Sequence, residues 1–218
     1  MLIEDMMVKD VITIRKLDPI KHAAWILQNK NIRHLPVVDG NRRLIGLVTD
    51  RDIRTVAPSI FHPFENRDIF EQPVERIMKT DLITVHPLDF VEEAAILFYQ
   101  FRIGCLPVVS EGRLEGIITQ TDVLKTFVLL AGSQKPGTQI EINVENRPGI
   151  LADILNIIRK HRINVHSVLV YPRKETETEK IIVLRIETIN PLPVIEDLNS
   201  HHFHVLWPGY SAGYGHGH

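Results

Sequence analysis

The chain repeats itself. Residues 7–53 align with residues 78–123: MVKDVITIRKLDPIKHAA lies over MKTDLITVHPLDFVEEAA, and GLVTDRD lies over GIITQTD. Between them, Ile32 and the LPVV run Leu35–Val38 match Ile103 and the LPVV run Leu106–Val109. The offset is 71 residues through LPVV and 70 after it, because the turn DGNRRL has one residue more than SEGRL. Each copy is too small to bury its own apolar surface, so the two are expected to pack together around a shared core.

Both copies carry the same signals. A short β-rich run (11–14; 82–85) leads into a helix opened by Asp18-Pro19 in one copy and by Asp89 in the other, aspartate being a good N-cap and proline suiting the first helical position. Ile20, Ala23, Ala24 and Leu27, and then Val91, Ala94, Ala95 and Phe98, fall at the spacing of one buried helix face. LPVV and LIGLVT, then LPVV and LEGIIT, flank polar turns and read as hairpins. A last helix runs from Thr49 to about Ala57 and from Thr119 to about Ala131. The unit is β-α-β-β-α, twice. The intervening segment 58–76 is a proline-broken connector whose Phe61, Phe64 and Phe70 are expected to pack.

After the linker 132–137 the pattern changes. Residues 139–144 alternate as a half-buried strand, and Asn146-Arg147-Pro148-Gly149 opens a helix with Ile150, Leu151, Ile154, Leu155 and Ile158 on one face, Asn146 being the expected N-cap. Two β-rich runs (163–170; 180–189) flank a charged hairpin, Asn190-Pro191 restarts a helix, and 204–207 form a last strand. That order, β-α-β-β-α-β, is ferredoxin-like. Residues 208–218, rich in glycine, tyrosine and histidine, are expected to be a disordered tail.

Composition narrows the function classes. With 25 Lys and Arg against 27 Asp and Glu in 218 residues, the chain lacks the basic excess of a protein held to nucleic acid by phosphate contacts. A single cysteine excludes an intrachain disulfide and a four-cysteine zinc site. Apolar stretches such as 127–131 are far short of the ~20 residues of a membrane span, and the first thirty residues have no unbroken apolar core. A cytoplasmic protein that engages neither membrane nor nucleic acid is expected.

The β-rich runs ending in Ile-Thr-Ile or Ile-Thr-Val, the LPVV strands and the Gly-h-h-Thr-x-x-Asp segments, recurring in order, resemble a tandem pair of CBS domains over residues 1–57 and 77–131. VENRPGILADIL, with NVHSVLV downstream, resembles an ACT domain over 138–207. The fold class implied is α+β, two CBS repeats in a pseudo-twofold module followed by a ferredoxin-like domain. The order of the three, with HPLDFVEE and NPLPVI, resembles the acetoin utilization protein B family of bacilli. That likeness implies a cytoplasmic regulatory protein needed for growth on acetoin or butanediol and does not specify its molecular action. A non-enzymatic sensor that contacts an enzyme of acetoin metabolism or its modification machinery is expected, and the CBS and ACT resemblances imply a homodimer.

The CBS resemblance implies an adenine nucleotide (AMP, ADP, ATP or S-adenosylmethionine) as regulatory ligand. Asp52 and Asp122 would take the ribose hydroxyls, with Thr49 and Thr119 near the phosphate and Arg51 and Thr121 inside the same segments. Thr-x-x-Asp is equally a helix-capping pattern, and the two roles are compatible. Arg33-His34 precedes LPVV in copy one where Gly104-Cys105 stands in copy two, so the sites are expected to be inequivalent. An arginine fork suits phosphate, with Lys9, Arg51 and Lys79 as helpers; the alternative is a solvated surface cation. Gly104 and Cys105 either make room for a base or pack against the helix. Ile12, Thr13, Pro36, Ile83, Thr84 and Pro107 would line the pocket, or serve only as strand core.

In the ACT-like part, Asn146, Pro148, Gly149 and Ile150 form the turn at which the resemblance places an amino-acid effector; Gly149 also has a purely conformational reading. His201, His202 and His204 lie close together, with His202 and His204 able to share a strand face, yet no ligand set of stereotyped spacing accompanies them. No hydrolase, metalloprotease or phosphate-loop motif is present, and Cys105 lacks an identifiable base, so no catalytic residue, catalytic cofactor or metal is expected.

Overall fold

A computed structural model describes residues 1–57, 67–174, 176 and 178–209, the side chain of Arg67 excepted. They divide into two compact units, Met1–Leu124 and Lys125–His218. Phe61, Phe64, His216 and His218 lie outside the described residues, as does the tail from residue 210.

Each repeat is a helix, a hairpin and a helix: α1 (Ile20–Asn29), β1 (His34–Val38), β2 (Leu44–Thr49) and α2 (Asp50–Val56), then α3 (Val91–Phe101), β3 (Cys105–Ser110), β4 (Arg113–Thr119) and α4 (Gln120–Leu130). Both hairpins are antiparallel and bulge at the same point of LPVV, Val37/Val38 and Val108/Val109. The helix faces match expectation, Ile20, Ala23 and Leu27 being buried in one copy and Val91, Ala94 and Phe98 in the other.

The first strand of each repeat is shorter than its β-rich run. It is a single parallel bridge, Ile14 to Val37 and Val85 to Val108. The next residue ends it, because the N–H of Arg15 donates to Asp18 Oδ2 (2.9 Å) and that of His86 to Asp89 Oδ2 (2.7 Å). Those two aspartates therefore close the preceding turn and do not cap the helices; Pro19 and Phe90 occupy the N-cap positions, without a side-chain hydrogen bond.

The repeats complete each other through their lead-in segments. Ile3, Met6 and Met7, which lie ahead of the first strand of repeat 1, pack into the core of repeat 2 with Val85, Phe98, Leu106 and Ile118. Val74, Ile77 and Met78, which precede repeat 2, pack into the core of repeat 1 with Ile14, Leu27, Leu35 and Val48, and Phe70 of the connector joins them. Each lead-in then pairs with the hairpin it reaches. Val8 exchanges main-chain bonds with Ile117 (2.9 and 3.0 Å), and Lys79 with Leu47 (both 2.9 Å).

The crossing requires two glycines. A Cβ on Gly46 would meet Met78 Sδ at 2.6 Å and the Lys79 carbonyl at 3.2 Å. On Gly116 it would collide with Met7 Sδ and come within 3.1 Å of the Val8 carbonyl.

The second unit is a four-stranded antiparallel sheet of order β6-β7-β5-β8, built from β5 (Thr138–Glu145), β6 (Val165–Pro172), β7 (Glu179–Ile186) and β8 (His204–Trp207). α5 (Ile150–Lys160) and α6 (Leu192–Ser200) share its core with Ile140, Ile142, Ile182 and Leu184. The topology is the ferredoxin-like one. Asn146 does not cap α5: its N–H donates to Thr178 O at 2.7 Å, and Gly149 holds the N-cap position at φ 83°. Among the described residues no helix is long and apolar enough to cross a membrane.

Overpacking of this kind typically destabilises by 1–3 kcal/mol. Gly46→Ala and Gly116→Ala are therefore each expected to cost about 1–3 kcal/mol in urea unfolding, against a few tenths for Gly40→Ala, whose Cβ meets nothing within 4 Å.

Candidate functional site

The crossed lead-ins leave a cleft of about 680 Å³ in the first unit. Repeat 1 contributes Arg33 and His34 at the head of β1, Leu47 and Thr49 of β2, and Asp50, Arg51 and Arg54 of α2. The second lead-in and repeat 2 contribute Lys79, Asp81, Leu82, Ile83, Arg102, Ile103, Gly104, Cys105, Pro107 and Gln120. Leu47, Cys105 and Leu82 also belong to an apolar cluster with Ile117 and Val11, so part of the lining is apolar, while its charged groups come from the head of β1, from α2, from the second lead-in and from the end of α3.

Both Thr-x-x-Asp segments form the capping geometry. Asp52 Oδ2 accepts from the Thr49 N–H (2.8 Å) and hydroxyl (2.6 Å), and Thr49 Oγ1 accepts from the Asp52 N–H (3.3 Å). Asp122 Oδ2 accepts from the Thr119 N–H (2.9 Å) and hydroxyl (2.6 Å). The other oxygen of Asp52 stands 3.8 Å from Lys79 Nζ. Arg54 is paired with Asp50 at 2.6 Å.

The residues before LPVV differ as the sequence indicates. The His34 ring stands beside Gly104, where a Cβ would lie 3.4 Å from its Nε2, so the small residue of repeat 2 faces the histidine of repeat 1. Burial holds the His34 imidazole below its ordinary value, opposed by the charges of Asp50 and Asp52 and reinforced by Arg33. Cys105 is buried, and burial, aided by the charge of Asp122, pushes its thiol up to about 12.

Of the residues singled out from the sequence, Arg33, His34, Thr49, Arg51, Lys79, Ile83, Gly104, Cys105 and Pro107 line this cleft, and Lys9 does not. Ile12, Thr13, Pro36, Asp52, Thr84, Thr119, Thr121 and Asp122 are not among its lining residues. Leu47, Asp50, Arg54, Asp81, Leu82, Arg102, Ile103 and Gln120 line it without having been singled out. Asp50 and Gln120 were findable: each immediately follows the threonine of its Thr-x-x-Asp segment.

In the second unit, Ile150 is buried in the core and Gly149 supplies the positive φ at the start of α5, so the conformational reading accounts for both. A separate cleft of about 520 Å³ lies at Lys135, Pro136, Asn164, Val165, His166 and Glu187; none of Asn146, Pro148, Gly149 and Ile150 lines it. His201 Nδ1 lies 2.8 Å from the Asp197 carbonyl, and the hydrogen bond from His161 (3.0 Å) holds the Asp197 carboxyl below the usual range. His202 sits in a turn at φ 63°, outside β8, so strand alternation does not put it on a face with His204. Among the described residues no group of three His, Cys, Asp or Glu side chains is placed to hold a metal ion.

A thiol raised this far is un-ionised at neutral pH, and only the thiolate alkylates. Iodoacetamide at pH 8 is expected to label Cys105 more than ~100-fold faster in urea-unfolded protein than in the native chain, measured by intact mass.

The CBS domain model matches residues 3–59 and 74–129, and the ACT domain model residues 138–203. A CBS domain-containing protein of Dictyostelium discoideum is 36% identical over 132 residues, covering 58% of this chain and 91% of its own length. The chain spans less of the next two relatives, 47% and 25% of their lengths. Among solved structures, a Vibrio cholerae protein named for acetoin utilization (AcuB) superposes with a TM-score of 0.54 at 32% identity, over 62% of this chain and 98% of that one. The CBS domain pair of protein MJ0100, in complex with 5′-methylthioadenosine and S-adenosyl-L-methionine, gives a TM-score of 0.51 at 32% identity, over 62% and 98%. CBSX2 in complex with AMP gives 0.51 at 25% identity, over 58% and 96%. With two copies of one motif matched end to end around the cleft they build, the chain belongs to the CBS-domain family, carrying a tandem CBS pair followed by an ACT domain.

Proposed function

We propose that the chain is a non-enzymatic regulatory protein whose CBS pair senses an adenine nucleotide in the cleft between its two repeats. The observation that carries this reading is the cleft itself: apolar at Leu47 and Cys105 and cationic at Arg33, Arg51 and Lys79, it offers a base and a phosphate different surroundings in one opening. CBS pairs of similar sequence are solved with AMP, S-adenosylmethionine and methylthioadenosine, which supports an adenosine compound as ligand. Asp52 and Asp122, in the segments that bring Arg51 and Gln120 to the cleft though not themselves on its lining, serve the ribose while remaining helix caps. Output is contact with an enzyme of acetoin metabolism, a role supported by the name of the Vibrio cholerae neighbour and by the HPLDFVEE and NPLPVI segments. The working division is one CBS domain over 1–57, a second over 77–131 and the ACT domain over 138–207, in a cytoplasmic homodimer where the ACT domain adds a second input, an amino acid at the Asn146–Ile150 turn.

A second reading is a constitutive scaffold without ligand sensing. Its support is that capping alone accounts for the geometry of both Thr-x-x-Asp segments.

Isothermal titration of the full chain with AMP, ADP, ATP and S-adenosylmethionine separates the two. Sensing predicts saturable binding that weakens roughly tenfold in Asp52→Ala or Asp122→Ala, from loss of one hydrogen bond to a charged group. Thermal unfolding of the variants controls for the lost cap, worth about 1 kcal/mol. No heat with any adenylate favours the scaffold.

A further inference from the structure

We propose that the cleft selects phosphorylated adenosine compounds over sulfonium and uncharged ones, and that only its repeat-1 end does so. This deepens the nucleotide-sensing reading and rests on it.

The two ends share a backbone plan and differ in charge. At the Thr49–Asp52 end stand Arg33, His34, Asp50, Arg51, Arg54 and Lys79. They belong together: the Asp50 N–H donates to the Arg33 carbonyl at 3.1 Å, Asp50 pairs with Arg54, and Lys79 approaches Asp52. Carried across the repeat, the same positions at the Thr119–Asp122 segment are Gly104, Cys105 and Gln120, which line the cleft, and Thr121, Leu124 and Val8, which are not among its lining residues. The frame is preserved there, since the Gln120 N–H donates to the Gly104 carbonyl and Val8 pairs with Ile117. Every titratable side chain of the first set is thus replaced by one that carries no charge.

The charges do not cancel at the repeat-1 end. Asp50 is committed to Arg54 and Asp52 faces Lys79, while Arg33 and Arg51 make no ion pair among the described residues. Two exposed guanidinium groups offer forked donors to phosphate oxygens and repel a sulfonium. Arg102 and Asp81, also on the lining, add one charge of each sign. The Thr119–Asp122 end offers a phosphate no cation from the corresponding positions, so one phosphorylated ligand per chain follows.

The test is titration of the full chain with ADP, AMP, adenosine and S-adenosylmethionine at low and high salt, repeated with Arg51→Thr and Lys79→Val. Each variant installs the side chain found at the other end; both positions are exposed, and thermal unfolding checks that the fold survives. The expected result is one ADP per chain, at least tenfold tighter than adenosine or S-adenosylmethionine, with the gap narrowing as salt rises. Each variant should weaken ADP roughly tenfold and shift adenosine by no more than about twofold. S-adenosylmethionine binding as tightly as ADP, two equal ADP sites, or equal losses for ADP and adenosine in the variants would overturn the inference while nucleotide sensing stands. Absence of binding by every adenosine compound overturns the sensing reading and this inference with it.

Discussion

The architecture of the first unit hangs on two reciprocal pairs of main-chain hydrogen bonds, Val8 with Ile117 and Lys79 with Leu47. Through them each repeat surrenders its lead-in to the other. Neither hairpin sheet has more than two strands of its own, and two strands are marginal in water. The exchanged segments add a third partner to each hairpin and carry Met7 and Met78 over Gly116 and Gly46 into the opposite core. The exchange, together with the bonds between the two hairpin turns, fixes the relation between the repeats, and that relation builds the cleft.

The same exchange explains how a near-symmetric frame supports an asymmetric site. Backbone features recur at matched positions: the bulge inside LPVV, the positive φ at Asn31 and Arg102, and the mutual bonds between the hairpin turns at Arg42–Leu44 and Gly112–Leu114. Side chains that face the cleft are free of this constraint. Around the cleft the copies diverge, in Arg33 against Gly104, Arg51 against Thr121 and Lys79 against Val8, and the electrostatics change on a preserved backbone plan. At His34 the two copies meet, the ring of repeat 1 lying beside Gly104 of repeat 2, where an added Cβ would make ordinary contact 3.4 Å from its Nε2.

Much of this was legible in the sequence because periodicity reports burial. The apolar faces of α1, α3 and α5 and the alternation of β5 read directly, and with them the two architectures. Hydrogen-bond choice was less legible. Asp18, Asp89 and Asn146 all precede helices and all look like caps, yet the two aspartates turn back to close a loop and Asn146 gives its N–H to Thr178. At the cleft, residue type pointed to Arg33, Arg51 and Gly104, while Asp81 and Arg102 escaped because the crossing that brings them in is a tertiary event with no local signature. Asp52 and Asp122 show the limit of a motif: their spacing fixed the capping geometry, and their service to a ligand depends on what enters the cleft.

The central claim is that the crossed repeats form a receptor for an adenylate. A crystal structure of the full chain grown with AMP measures this most directly. The account predicts nucleotide density in the cleft, flanked by Thr49 and Arg51 on one side and by Gly104 and Cys105 on the other. Density for AMP bound elsewhere on the chain, with this cleft holding only solvent, would contradict it.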